Sequence, residues 1–459
     1  MSLAVSAKPR IVIVGAGPTG LGAAWRLHEL GHSDWSLYES SNHPGGLASS
    51  VVRDGFTWDL GGHVLFSHYK YFDEVMNTAL GDAWIEHIRE AWVWMRDRWI
   101  PYPFQNNIWR LPHEELITCL HGLLDLPRLP KAGGPASFRD WLQAAFGTGL
   151  CDTFLFPYNR KVWAYDPSQL DVGWMGERVA TVDLRRIMQN LVLRKDDVSW
   201  GPNSTFRFPM HGGTGAIWRA VATRLPAGQL HFERAVATVD PANKKVLMSD
   251  GESIPYDTLI STMPLDDLLR SLTGRPELSA DASKFVYSSS HIVGVGLKGS
   301  PPEALKTKCW IYFPEDRVPF YRATVFSNYS PNNVPTDTPH WSLMGEVSES
   351  AGKPVNAQTV SAEVMAGFVS CGFIDPANVV STWRRRLEHG YPTPWLGRDV
   401  VIDPIHAALR AASILSRGRF GAWKYEVSNQ DHSFMQGVEA ADHILTGSHE
   451  PTFHAEIAN

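Results

Sequence analysis

Four consecutive apolar residues, Ile11 to Val14, run into a glycine-rich turn, and apolar positions then recur at helical spacing as far as Gly31. A buried strand, a tight turn and an amphipathic helix account for that order. "SLYES" (36–40) supplies a second strand ending in Glu39. The chain therefore opens strand–turn–helix–strand, the start of a doubly wound α/β unit. From about Pro112 to Asp197 the pattern changes to helix formers at helical spacing, punctuated by "LPRLPKAGGP", which predicts a helical insertion. Short strands and one helix return between "RFPMHGGTGAIWRAVATRL" and "SDGESIPYDTLISTMP". "HIVGVGLKGS", "KCWIYFPE", "FYRATVFSNYS" and "HWSLMGEVSES" then alternate as antiparallel strands do, and "AWVWMRDRWIPYP" (91–103) predicts a hairpin around Asp97 that joins them. From Ser416 the chain reads as a turn into one last helix.

With 459 residues the chain is too long for one ordinary core. The pattern predicts an α/β protein with a discontinuous Rossmann-like domain (1–90, 204–290 and 400–459). A helical domain (104–203) and an antiparallel β-sheet domain (91–103 and 291–399) interrupt it. Ligands favour such domain junctions.

Composition narrows the partners. No apolar run approaches the ~20 residues of a membrane span, and "MSLAVSAKPR" lacks the apolar centre of a signal peptide. The expectation is a cytoplasmic protein with no membrane partner. A formal charge of −6 argues against nucleic acid, which needs a basic face, so an anionic ligand would have to be held by a few local arginines. Cys119, Cys151, Cys309 and Cys371 form no metal or redox spacing and read as reduced, buried thiols; no metal is expected. Several of the 18 tryptophans sit beside tyrosines in loop-like segments, where they could stack on a flat ligand.

"GAGPTG" places Gly15, Gly17 and Gly20 after a strand and at a helix start, the context in which this spacing signifies dinucleotide binding. Gly15 permits the turn, Gly17 lets a pyrophosphate approach, and Gly20 allows helix and strand to pack closely. Glu39 can accept from a ribose hydroxyl and disfavours a 2′-phosphate, leaving FAD or NAD. The pair Gly45–Gly46 in "HPGGLASS" favours FAD, as in flavoproteins of the amine-oxidase type.

"PGGLASS", "DLGGHVLFSHYKYF", "WIPYPFQNN", "PYNRKVWA", "GERVA", "WGPNSTFRFP", "GGTGAIW", "KCWIYFPED", "PFYRATVFSNYSP", "EVSES", "HGYPTP" and "SRGRFGAWKYEVSNQDHSFMQGVEA" follow one another in the order seen in one family. From about residue 10 to 446 the chain resembles the UDP-galactopyranose mutases of the eukaryotic (fungal and protozoan) type. The resemblance implies a FAD domain, a helical domain and a six-stranded antiparallel sheet. It also implies interconversion of UDP-galactopyranose and UDP-galactofuranose on reduced FAD. In that chemistry flavin N5 is the nucleophile at the anomeric carbon, UDP is the leaving group, and NADPH or NADH is the reductant. It leaves room for a homo-oligomer.

Carried over residue by residue, the resemblance makes Arg178 and Arg322 the diphosphate arginines, with Tyr329, Tyr391 and Tyr425 as phosphate-binding tyrosines. Taken singly, Arg178 could pair with a helix acid and Tyr391 could pack a proline loop; the set inside its motifs favours the ligand. Tyr102, Phe104 and Gln105 would hold the uracil, and Asn159 and Trp163 the ribose. Asn203, Trp310, Tyr312 and Arg419 would face the sugar or the flavin. Asn429, Gln430 and Ser433 would meet the flavin at the start of the last helix. Gly61 and Gly62 form a bare kink beside the flavin, with His63 supporting its chemistry, while His68, Tyr69 and Lys70 read as a loop that could close over the site. Two residues depart from the family pattern: Gly345 stands where a larger residue is expected, and Ala216 where a glycine is. Two other readings stay open: a mutase of another nucleotide sugar, and an FAD-dependent oxidase or desaturase sharing the same opening.

Overall fold

A computed structural model describes residues 8–126, 134–175, 182–198 and 204–456. Ile11–Val14 is buried throughout and forms the centre of a five-stranded sheet. Its order is Ile414–Ser416, Thr258–Ser261, Ile11–Val14, Trp35–Tyr38, Leu230–His231, and every neighbouring pair is parallel. Strands covered on both faces can be apolar at every position, which is why the first one shows no alternation. The sheet is assembled from distant parts of the chain, so the Rossmann-like domain is discontinuous as the pattern predicted. The helix Pro18–Glu29 packs against the last helix, Gln430–Thr446.

The insertion is helical, with His113–Leu124, Phe138–Leu150, Phe156–Trp163 and Leu184–Leu193 among the described residues. Ser137 and Asp183 cap two of these helices by accepting from backbone N–H groups. A π turn, Cys151–Leu155, leads directly into the helix that carries Asn159 and Trp163. The short antiparallel pair Trp84–Ile88 and Thr205–Pro209 brings the chain before and after the insertion back together.

The large sheet corrects the expectation of six antiparallel strands. It has seven, in the order Val379–Pro392, Tyr287–Lys298, His340–Glu349, Arg322–Val325, Trp310–Tyr312, Ala91–Met95, Arg98–Pro101. One neighbouring pair, Trp310–Tyr312 with Ala91–Met95, runs parallel. Parallel neighbours need a long connection, and here the whole helical insertion lies between them. The hairpin itself is as predicted: Arg96 and Asp97 both adopt positive φ, the turn that matches strand twist. The sheet extends a few residues beyond the expected limits, starting again at Tyr287. At Gly345 a Cβ would meet Val364 Cγ1 at 2.8 Å, so neighbouring side chains already occupy the space a larger residue would fill.

A second correction concerns the segment read as a lid. Asp431 accepts from the His68 N–H at 3.0 Å and bonds its Nδ1 at 2.7 Å. The Tyr69 hydroxyl bonds Thr452, and Lys70 begins the helix Lys70–Leu80. The segment is pinned to the last helix and the C-terminal stretch. All four cysteines are buried and free. Among the described residues no helix is long and apolar enough to cross a membrane.

Candidate active site

Three segments converge at the end of the first strand. Gly15 turns at φ +99°, and its N–H donates to Tyr38 O. Gly20 packs so tightly that a Cβ would lie 1.9 Å from Gly15 O. Gly17 differs from both. Its φ of −71° suits any residue, and a Cβ there would meet only Gly46 Cα, at 4.0 Å. Neither backbone strain nor packing within the chain calls for glycine at Gly17, so the bare surface suits a group lying beside it. The helix that follows has no side-chain cap, leaving its first N–H groups available to an anion. Glu39 is buried beside this turn. Its carboxylate accepts from Ala16 N–H at 2.7 Å and from Ser41 N–H and hydroxyl at 2.8 Å. Gly45 N–H donates to Ala16 O, which brings the second glycine pair against the first. The donors, bare glycine surface and carboxylate fit the adenosine diphosphate half of FAD.

Further along, Gly61 sits at φ +142°, and His63 N–H donates to Gly61 O at 2.8 Å, closing a three-residue turn. Burial lowers the His63 imidazole to about 4, with Arg322 and Arg419 reinforcing and Glu346 opposing the shift. The ring is therefore neutral near pH 7. Its Nδ1 is buried with no hydrogen-bond partner among the described residues; such an orphan is rare in a native interior and fits contact with a bound group. At the start of the last helix Asn429 is the N-cap residue without a side-chain cap bond. The Gln430 amide is engaged by the chain: its Oε1 accepts from Trp218 Nε1 at 3.0 Å. Ser433 is buried, and its hydroxyl lies 3.5 Å from Ser428 O.

Next to this turn lies a half-buried cation. Arg322 Nε and Nη2 donate to the two oxygens of Glu346 at 2.7 and 2.8 Å. The same carboxylate accepts from the Tyr321 hydroxyl at 2.7 Å and from Gly62 N–H at 3.1 Å. Burial pushes Glu346 up, yet Arg322 outweighs it and holds the carboxyl below its ordinary value. Burial also raises the hydroxyls of Tyr158, Tyr321, Tyr329 and Tyr391, each of which feels the Arg322 charge. These tyrosines are therefore protonated, and the Tyr321 ring centroid lies 5.9 Å from Arg322 Cζ. Tyr329 is fully buried, and its hydroxyl has no partner among the described residues.

Arg419 lies 5.0 Å from the Tyr391 ring centroid and 5.7 Å from that of Tyr425. It is held by the Ser428 hydroxyl and Gly390 O. Trp163 meets the Tyr425 ring edge-on at 4.8 Å. On the other side, Tyr102 and Tyr312 are 5.0 Å apart, and Trp310 Nε1 donates to the Tyr312 hydroxyl. Phe104 stacks on Phe154 at 4.3 Å, committing one ring face to the helical core, and Gln105 is buried beside it in sequence. Asn159 donates to Leu155 O at 2.8 Å. Tyr158 meets the Tyr312 ring edge-on at 5.4 Å and stacks on Phe154 at 5.2 Å. Arg178 and Asn203 lie outside the described residues.

Four residues here escaped the reading of the sequence: Tyr158, Tyr321, Glu346 and Arg89, whose guanidinium lies 4.8 Å from the Trp310 ring centroid. The available signal was a charged residue set between uncharged neighbours, Arg322 between Tyr321 and Ala323 and Glu346 between Gly345 and Val347.

Residues 13–79 match the NAD(P)-binding Rossmann-like domain, and residues 120–359 match the flavin-containing amine oxidoreductase family. A 4,4′-diapophytoene desaturase of Staphylococcus aureus (strain COL) is 35% identical over 79 residues, 17% of this chain and only 15% of the desaturase's length. A fatty acid isomerase from P. acnes superposes with a TM-score of 0.66 over 96% of this chain and 100% of its own, at 14% identity, a likeness of fold alone. The crystal structure of a reduced UDP-galactopyranose mutase superposes with a TM-score of 0.94 at 51% identity, covering 97% of this chain and 96% of that one. With a flavin-type amine oxidoreductase match across half its length and that identity end to end, the chain belongs to the UDP-galactopyranose mutase family.

Proposed function

We propose that this protein interconverts UDP-galactopyranose and UDP-galactofuranose with FAD in its reduced form. The observation that carries this reading is the half-buried Arg322, paired at two points with Glu346, whose carboxylate also takes the Tyr321 hydroxyl and the Gly62 N–H. It is an anion site joined to a cofactor-facing turn, where an oxidase of apolar or amine substrates would need no such cation.

Reduced FAD, when bound, supplies a nucleophilic N5 and returns unchanged in redox state. The residues of the chain do the rest. Gly15, Gly17, Gly20, Glu39, Gly45 and Gly46 hold the adenosine diphosphate half; Gly61, Gly62, Asn429, Gln430 and Ser433 border the flavin half. Arg322 keeps three of its five N–H donors beyond those given to Glu346, and these can serve the substrate diphosphate as charge gathers on the departing UDP. Tyr329, Tyr391 and Tyr425 add hydroxyl donors, with Arg178 as second arginine. Tyr102, Phe104 and Gln105 take the uracil, Asn159 and Trp163 the ribose, and Asn203, Trp310, Tyr312 and Arg419 the sugar side. His63, neutral, offers a ring nitrogen for hydrogen bonding at the flavin and adds no charge there. NADPH or NADH serves as reductant, and the order of motifs favours the eukaryotic type.

The test is chromatography of UDP-sugars after incubating dithionite-reduced holoenzyme with UDP-galactofuranose. UDP-galactopyranose is the expected product. Its absence sinks the proposal, and substrate-dependent oxygen consumption by the oxidised enzyme would replace it with an oxidase. Repeating the assay with NADPH or NADH in place of dithionite identifies the reductant.

A further inference from the structure

Glu346 stands directly opposite Arg322 in the strand register and is 2% exposed. Its two oxygens take four hydrogen bonds: two from Arg322, one from the Tyr321 hydroxyl and one from Gly62 N–H. The two-point pairing fixes the plane of the guanidinium. The bond from Gly62 fastens the same carboxylate to the Gly61–His63 turn, and the contact is close: a Cβ on Gly62 would lie 3.2 Å from Oε1 and 3.5 Å from Arg322 Cζ. A buried ion pair is a weak source of stability, since well-packed apolar residues of the same volume do as well or better. What it does provide is direction.

Resting on the mutase reading above, we propose that Glu346 is a positioning residue that aims Arg322 at the diphosphate and fixes the cofactor-facing turn relative to it. Its charge also offsets part of the attraction between Arg322 and the bound anion. These two roles act with opposite sign on binding and turnover. Without the negative charge, Arg322 and the nearby Arg419 attract the diphosphate at least as strongly as before. Without the two-oxygen fork, the guanidinium turns away from the geometry that favours the departing UDP. A residue that only supports the fold would weaken binding and turnover together.

The isosteric Glu346→Gln variant separates these cases as FAD-loaded holoenzyme. Turnover of UDP-galactofuranose by the reduced variant is expected to fall by about tenfold or more. UDP affinity, measured by titration calorimetry, is expected to tighten or to stay within about threefold of wild type. A smaller fall in turnover, or a greater loss of UDP affinity, overturns the proposal. Should Glu346→Gln fail to load flavin, Glu346→Asp is read against the same limits, because it keeps the charge but retracts the fork. If neither variant loads flavin the position is structural, and the proposal is again overturned. Wild-type turnover separates the two levels: an inactive wild type sinks the mutase reading, whereas an active wild type with variants outside these limits sinks only the role of Glu346.

Discussion

Replacing Gly62 with alanine adds one methyl group at the point where the Gly61–His63 turn touches the Arg322–Glu346 pair. The added Cβ would lie 2.7 Å from Thr324 Oγ1, 3.2 Å from Glu346 Oε1 and 3.5 Å from Arg322 Cζ. Thr324 is fully buried on its strand, so the turn has to move. Restoring an ordinary contact takes a displacement of about 0.7 Å, which stretches the Gly62 N–H···Glu346 bond from 3.1 Å to about 3.8 Å, beyond hydrogen-bonding range. Overpacking of this kind costs about 1–3 kcal/mol, and the lost bond to a charged acceptor adds about 1.5–3 kcal/mol. Misplacing a reacting group by ~1 Å costs roughly a hundredfold, so kcat/KM of Gly62→Ala should fall by about 10- to 100-fold. Removing the obstruction tests the cause. In Gly62→Ala/Thr324→Ala the hydroxyl is gone, and kcat/KM should return to within about fivefold of the Thr324→Ala single variant. The assay is steady-state turnover of UDP-galactofuranose by reduced, flavin-loaded protein. Wild-type activity in Gly62→Ala, or a double variant no better than Gly62→Ala, would refute the argument.

Burial raises Glu439 to about 7 from an ordinary value of 4.5, against the opposing bonds from Thr452. The native state therefore binds this proton more tightly, and the associated stability is lost as pH climbs from about 4.5 to about 7. Relative to wild type, Glu439→Gln should gain about 2 kcal/mol between pH 5 and pH 8 in denaturant titrations; an equal gap at both values refutes it. Arg417 and Glu450, 2% and 1% exposed, form a buried pair that ties the C-terminal stretch to the Rossmann-like domain. Glu450→Gln should lose about 3–5 kcal/mol and Arg417→Met/Glu450→Leu recover most of it; equal melting temperatures for the two variants would argue otherwise. With His63 down at about 4 and the site tyrosines raised, kcat should show no limb near pH 6.5; a limb there that vanishes in His63→Ala would make His63 a titrating acid or base.

That Gly15, Gly17 and Glu39 come together was legible in the sequence, because the parts are local. A strand, a positive-φ glycine and a helix start span a dozen residues, and Glu39 follows one short helix later, so spacing alone brings Gly15, Gly17 and Glu39 together. The same reading could not distinguish a lid from an anchored segment at His68, because what holds it, Asp431, lies 363 positions further on. It also undercounted the large sheet, since the seventh strand, Val379–Pro392, lies at the sheet edge, is exposed or half-buried along most of its length and carries Arg384, Arg385 and Arg386 in a row, which hides any apolar alternation. Arg322 and Glu346 fall between these extremes. They are 24 positions apart, in two strands already marked by period two, and each is a charged residue between uncharged neighbours. A buried charge needs a partner, and adjacent antiparallel strands offer one directly across. That inference required only the assumption that the two strands are neighbours, which they are. Such a pair is more than a tie between strands, because Glu346 takes only two of the five N–H donors of the guanidinium. Opposite charges facing each other across paired strands are for this reason a better guide to a candidate anion site than the aromatic residues around them, whose ring-to-ring packing looks the same in a core and in a pocket.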